Sequence, residues 1–444
     1  MRKLLVVLLM FAAHGAAHAT LQIQNWTLAN GARVFFVENH SLPVIDASVE
    51  FDAGGRRDPA GKSGAAALTN SMLARGVREG RGPNGEAEPA LSEARISDGF
   101  ADIAAQRGGA AGADRSGLTL RTLSKPSERD RAVLLAARVL AQPAFPESLL
   151  QRDKARTIAG LREELTRPEA IASKAFWRML YRSHPYGDEP TEASVNAITR
   201  ADLLAFHAKY YVANHAVVAM IGDMTRDQAD AIARQLTARL PQGGDLPPPP
   251  PVAPAVASTP PREQRIPHPA SQAHILIGMP ALQRGDPDFF PLLVGNYILG
   301  GGGLVSRLTN EVREKRGLTY SVYSFFMPMA QPGPFEIGLQ TAKKQTDDAL
   351  KIVHETLDAF LATGPTETEV KAAKDNLIGG FPLRIDNNRK ILDNIAVIGF
   401  YGLPLDYLDN WTANVAKVGI PEIRAAFARH VAVDRLATVI VGAE

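Results

Sequence analysis

"ADLLAFHAKYYVANHAVVAMIGD", residues 201–223, reads as an amphipathic helix, a turn and an apolar strand closed by glycine. The end of the chain, "PEIRAAFARHVAVDRLATVIVGAE" (421–444), has the same order. Asp202 to Gly222 and Glu422 to Gly442 are both separations of twenty residues. Upstream, "ASVEFDAGGRRDP" (47–59) and "AHILIGMPALQRGDP" (273–287) each run strand, turn, acidic-Pro and then helix. One match is chance; two in the same order indicate a duplicated α+β domain. Strands such as "LTLRTLS" (118–124) alternate with helices such as "DDALKIVHETLDAFLA" (347–362), in keeping with that class. In the latter Leu350, Val353, Leu357, Phe360 and Leu361 share one face, a stripe for core packing.

"PQGGDLPPPPPVAPAVASTPP", residues 241–261, excludes both helix and central strand, because proline lacks the donor N–H and fixes φ. It reads as a semi-extended linker between residues 20–240 and 262–444, each long enough for a domain. Residues 1–19 stand apart. Arg2 and Lys3 precede an apolar run from Leu4 to Ala13 and a small-x-small end at Ala17-His18-Ala19. That is the pattern of a secretory signal cleaved after Ala19, and it is too short for a spanning helix. The expected location is the bacterial periplasm.

The whole chain has 49 Lys and Arg against 47 Asp and Glu. Losing Arg2 and Lys3 leaves 47 of each sign, so nothing in the charge calls for nucleic acid or an anionic membrane as partner. The absence of cysteine excludes thiol nucleophiles and Cys-based zinc sites.

"GAAALTNSML" (64–73) follows a turn-rich lead-in and has the form of a helix that ought to carry chemistry. It resembles the zinc helix of the pitrilysin-type, insulinase-like (M16) peptidases, where H-x-x-E-H supplies two ligands and a general base. Aligned on that motif, the histidines fall at Ala67 and Ser71 and the base at Asn70. None of the three can do the family's work: alanine has no donor atom, serine is a poor ligand, and neutral asparagine takes no proton. The family's third ligand, a glutamate on a later helix, falls near Ala159 or Gly160 in "RDKARTIAGLREELTRPEA" (152–170). Glu163 and Glu164 lie one turn on and read as solvated acids. Eight histidines follow the signal segment, none paired at i, i+4; His184 reads as a turn residue and His207 as a helix-face residue. No metal is expected in this chain.

"LGGGGLVSRLTNEVREKRGLTYSVYS" (299–324) is similar to the family's second half-site, a glycine-rich loop, a helix, then an arginine and a tyrosine seven residues apart. Arg313 and Tyr320 match that pair. The resemblance implies that both donate to a substrate carbonyl as it becomes an oxyanion, an effect worth about 2.7–4 kcal/mol per donor in known cases. The bland alternative pairs Arg313 with Glu311 or Glu314 and lets Tyr320 simply begin a strand. Gly300, Gly301, Gly302 and Gly303 read as a flap over a substrate cleft; no Lys-Ser or Lys-Thr follows to make a phosphate loop.

The resemblance extends over nearly the whole mature chain, including "HPYG" (184–187) and "FPLRIDNNRKILDNIAVIGFYGLPLDYLD" (381–409). It implies two α/β-roll-like domains, each a mixed sheet packed by helices, in a clam-shell arrangement. Some bacterial members divide the site between two homologous chains, one bearing H-x-x-E-H and zinc, the other bearing the arginine and tyrosine. On that model the chain is the zinc-less partner of a heterodimer acting on short peptides bound as an added strand. The alternative is a catalytically inactive peptide-binding or assembly subunit. A self-sufficient metallopeptidase is disfavoured by the missing ligands and base.

Overall fold

The computed structural model describes residues 21–82, 85–257 and 262–442. Residues 1–19, where the sequence suggests a secretory signal, lie outside the described residues.

Two mixed sheets carry the two halves. Across the first, the strands lie in the order Gln24–Thr27, Arg33–Glu38, Val217–Gly222, Val44–Phe51, Ser116–Leu123, Gln106–Gly108. Across the second the order is Arg262–Ile266, Ala437–Val441, Gln272–Leu282, Gly333–Ala342, Thr319–Phe326. Apart from the extra edge strand Gln24–Thr27, the two orders are the same. In each half the last strand inserts beside the first, parallel to it, and runs antiparallel to the next.

The two paired segments of sequence fold alike. Thr199 and Asp202 cap the helix Arg200–Tyr210 reciprocally, and Glu422 accepts from the Gly419 N–H at the start of Ile420–His430. A short 3₁₀ turn follows each, then the central strand. Gly222 ends the first of those strands at φ +144°, and Gly442 directly follows the second at φ +104°. A Cβ there would lie 2.3 Å from the Val44 carbonyl oxygen and 2.6 Å from that of Gln272. Only glycine permits that approach.

Every residue of Val217–Gly222 and Ala437–Val441 is buried, which requires cover on both sheet faces. One face packs on its own half's helices. The other is covered by exchange. Helix Pro168–Tyr181 of the first half sets Ala172, Phe176 and Leu180 against Ala437, Val439 and Val441 of the second sheet. Helix Asn388–Tyr401 of the second half sets Ile391, Leu392 and Ile395 against Phe35, Val217, Ala219 and Ile221 of the first.

A buried polar hub fastens the exchange. Asp114, 3% exposed, accepts from the Tyr186 hydroxyl at 2.5 Å, the Tyr401 hydroxyl at 2.9 Å and the Ala330 N–H at 2.9 Å, with Arg56 at 3.3 Å. Residues 241–257 have no regular structure and run as a strap along the surface. Its carbonyls at Pro241, Pro247 and Pro250 accept from the Ala213 N–H, Arg57 and His184.

Candidate functional site

The glycine run begins where helix Phe289–Asn296 widens into a π-helical turn, Tyr297–Gly301. Three of its glycines are wedges. A Cβ on Gly300 would meet the Ser324 backbone nitrogen at 2.6 Å; on Gly301, the Asn296 side chain at 2.6 Å; on Gly302, the Tyr297 carbonyl oxygen at 2.6 Å. Asn296 then binds strand Thr319–Phe326 through Ser324, donating to its carbonyl and accepting from its hydroxyl. The run is therefore no free flap over its whole length. Only Gly303, at φ +62° with open space around it, lies at an exposed tip beside Leu304 and Val305, which are 68% and 75% exposed.

Arg313 sits in a second π-helical turn, Thr309–Glu314. Among the described residues its one ion pair is with the neighbouring Glu314, at 3.5 Å and on the surface. Glu311 is taken instead by Lys315 and Arg316. Tyr320 begins the edge strand at an irregularity. Thr319 pairs with Thr341 and Val322 with Leu339, so Tyr320 and Ser321 together oppose one residue. The Thr319 hydroxyl holds this bulge, donating toward the carbonyls of Ser321 and Gln340 and accepting from the Ser321 N–H at 3.1 Å. An extra residue in an edge strand re-aims its side chain. Tyr320 is accordingly 86% exposed, and its hydroxyl makes no hydrogen bond among the described residues. The bulge and the wide turns have no sequence signature of their own, although π-turns recur at functional sites.

The first half is organised oppositely. Helix Ala65–Met72 starts on Gly64 at φ +101°, with the Asp58 carboxylate accepting the N–H groups of Gly64 and Ala66 at 2.7 Å. Ala67 and Ser71 lie exposed one turn apart, where two ligands would face out together. The Ser71 hydroxyl donates to the Leu68 carbonyl, a local bond. Asn70 points inward, buried, donating to the Gly117 carbonyl at 2.8 Å and lying 3.4 Å from the Tyr211 hydroxyl. The general-base position is thus occupied by a core hydrogen bond. Helix Glu147–Glu164 packs beside this one but brings no ligand atom at Ala159 or Gly160. Glu163 is exposed, and Glu164 pairs with Lys174 at 3.0 Å.

The histidines have other duties. His184 caps its turn by accepting from the Tyr186 N–H and donates to the Pro250 carbonyl. His207 donates to the buried Leu140 carbonyl, and burial pushes its pKa down to about 4. Among the described residues one trio, Asp286, Asp288 and His430, converges closely enough to suggest a cation. Asp288 is already held by both arms of Arg429 at 2.6 and 2.7 Å and by His430 at 3.0 Å, so the trio is an ion-pair network. No described helix is long and apolar enough to cross a membrane.

The chain is similar to several known proteins. The family model described as the peptidase M16 inactive domain matches residues 197–377. The crystal structure of a peptidase M16 inactive domain from Pseudomonas fluorescens is 37% identical, with a TM-score of 0.87 over 96% of this chain and 98% of that one. The non-peptidase homolog YmxG of Helicobacter pylori is 27% identical over 450 residues, 99% of this chain and 98% of that protein. An uncharacterized zinc protease of Streptomyces coelicolor is 33% identical over 258 residues. That match spans 57% of this chain and only 55% of the zinc protease.

Proposed function

The chain belongs to the peptidase M16 family as an inactive-type homologue, and from that premise we propose that it is the zinc-less half of a two-chain peptidase. Arg313 and Tyr320 act on a substrate carbonyl held at the zinc of a homologous partner. The partner supplies H-x-x-E-H, the metal and the general base; this chain supplies none of them. The observation that carries the reading is the contrast between the two half-sites. Asn70 is consumed by the core, whereas Tyr320 is held out by a bulge with its hydroxyl unengaged. A phenol kept in that state on an edge strand is free to donate to another molecule. An extended peptide is the natural ligand for such an edge. We place the encounter in the periplasm, following the signal-like segment 1–19.

The test is peptidase activity on a quenched fluorescent peptide library, with zinc measured in every sample. It compares this chain alone, the H-x-x-E-H homologue of the same organism alone, and their mixture. Activity confined to the mixture, and lost with Arg313→Ala or Tyr320→Phe, is the expected outcome. A mixture no more active than the homologue alone overturns the proposal and leaves a peptide-binding or assembly subunit. Activity with stoichiometric zinc in this chain alone overturns both.

A further inference from the structure

At the seam between the halves lies a cavity of about 450 Å³, within the range of about 300–1,000 Å³ typical of small-ligand sites. Its walls include the first residue of strand Arg33–Glu38, the turn after Val44–Phe51, the Pro-rich strap at Leu246, and the C-terminal end of helix Asn388–Tyr401. The titratable side chains lining it are Arg33, Asp52, Arg56, His215, Arg284 and Tyr401.

The charges do not balance. Asp52 accepts from Arg56 at 2.8 Å and from Arg57 at 2.5 and 3.0 Å, and Asp114 stands behind Arg56. Those two acids and two arginines cancel. Arg33 and Arg284 remain, with no carboxylate partner among the described residues. Tyr401 offers no charge, since burial and the neighbouring Asp114 hold its hydroxyl protonated. Cations are favoured at a helix C-terminus, and Arg284 stacks on the Tyr401 ring with its guanidinium carbon 5.4 Å from the centroid. Stacking occupies the face of the guanidinium and leaves its edge. The Arg284 Nε is buried without an acceptor, as are the Arg56 Nε and the His215 Nδ1. Arg56 itself is only 8% exposed. Cationic side chains from both halves line this one cavity, and guanidinium donors left without an acceptor call for one.

We propose that this cavity binds a small, multiply charged oxyanion, a phosphate or a di- or tricarboxylate. Arg33 and Arg284 neutralise it and Arg56 and His215 contribute further contacts. Because Arg33, Arg56 and His215 belong to the first half and Arg284 to the second, the bound anion clamps the halves together. The site is independent of Arg313 and Tyr320, and its failure would leave the peptidase reading untouched.

Titration calorimetry and thermal melts of the full chain test it with inorganic phosphate and with citrate, against sodium chloride at the same ionic strength. We expect saturable one-to-one binding of at least one oxyanion and a higher melting temperature in its presence. Arg33→Gln and Arg284→Gln should each weaken binding about tenfold or more, whereas Arg152→Gln on the surface leaves it unchanged. Among the described residues neither Arg33 nor Arg284 holds an ion pair, so both variants should keep the native far-ultraviolet circular dichroism. Binding of one anion alone assigns the class. No binding above the chloride control, or equal binding by a natively folded double variant, overturns the proposal.

Discussion

The two halves share one sheet topology and treat their chemistry in opposite ways. In the first, the helix Ala65–Met72 presents Ala67 and Ser71 outward and turns Asn70 into the core. In the second, the helix Phe289–Asn296 in the corresponding position opens into wide turns that brace an edge strand and push Tyr320 into solvent. Scaffold and reactivity are therefore separable in this fold. The same strand order supports one half that turns a polar side chain into its core and one that holds a tyrosine out in solvent, and the difference rests on a few side chains.

The largest expected effect comes from breaking the hub that makes the halves comparable at all. Asp114→Ala strands the Tyr186 and Tyr401 hydroxyls and leaves buried Arg56 with Asp52 alone. Removing one partner of such a network costs about 3–5 kcal/mol. Urea unfolding should show the loss in its midpoint. A loss under about 1 kcal/mol would mean that the exchanged helices hold the halves together without the hub.

The acids on the exchanged faces of the sheets extend the comparison. Asp46 in the first sheet is 3% exposed and has Arg121 at 3.1 Å. Glu336 in the second is 7% exposed and, among the described residues, has only the Tyr323 hydroxyl, at 3.4 Å, with Glu169 and His274 lining the same small cavity. Burial raises the Glu336 carboxyl from 4.5 to about 7. The folded state then binds its proton more tightly than the unfolded state does. Its contribution is fully present below pH 4.5 and is lost as pH rises through 7, to about 3 kcal/mol at pH 8. Glu336→Gln should remove that slope, seen as melting temperatures that converge with wild type at low pH and exceed it at pH 8. Parallel pH profiles for the two proteins would show Glu336 to be ionised and satisfied.

A smaller effect separates positions within the first half. Asn70→Ala removes the buried bond to Gly117 and should cost about 1–2 kcal/mol. Ala67→His with Ser71→His, on the exposed face, should stay within about 0.5 kcal/mol of wild type. Calorimetric melts of both variants distinguish a base position built into the core from ligand positions left vacant of function. Equal costs would erase that distinction.

Much of this was legible beforehand. The paired segments ending at Gly222 and Gly442 and the helix over 65–72 are local patterns, and local patterns survive in a linear reading. What escaped was long-range. Asp114 meets Tyr401 across 287 residues and Ala330 across 216, and nothing near any of them signals the meeting. The exchange of helices Pro168–Tyr181 and Asn388–Tyr401 is likewise invisible to periodicity, which reports an apolar face but not its cover. The glycines misled for a physical reason. Glycine serves mobility and close approach equally well, and Gly300–Gly302 serve the second. The bulge at Tyr320 and Ser321 depends on the Thr319 hydroxyl reaching Gln340 on the next strand, a register detail outside any motif.

The smallest expected effect on stability is the most informative about function. Tyr320→Phe deletes one hydroxyl from a side chain 86% exposed, with no hydrogen bond to lose among the described residues. The change in unfolding free energy should lie within about 0.5 kcal/mol. If the hydroxyl donates to a developing oxyanion, the same substitution should lower kcat of the mixed pair by about 10²–10³-fold. The ratio of those effects is the quantity to measure, in one preparation, by denaturation and by steady-state kinetics with the partner. A stability loss above about 1 kcal/mol would place the hydroxyl in the fold and dissolve the contrast with Asn70. A large loss of kcat at constant stability would place its purpose outside this chain, in the molecule it meets.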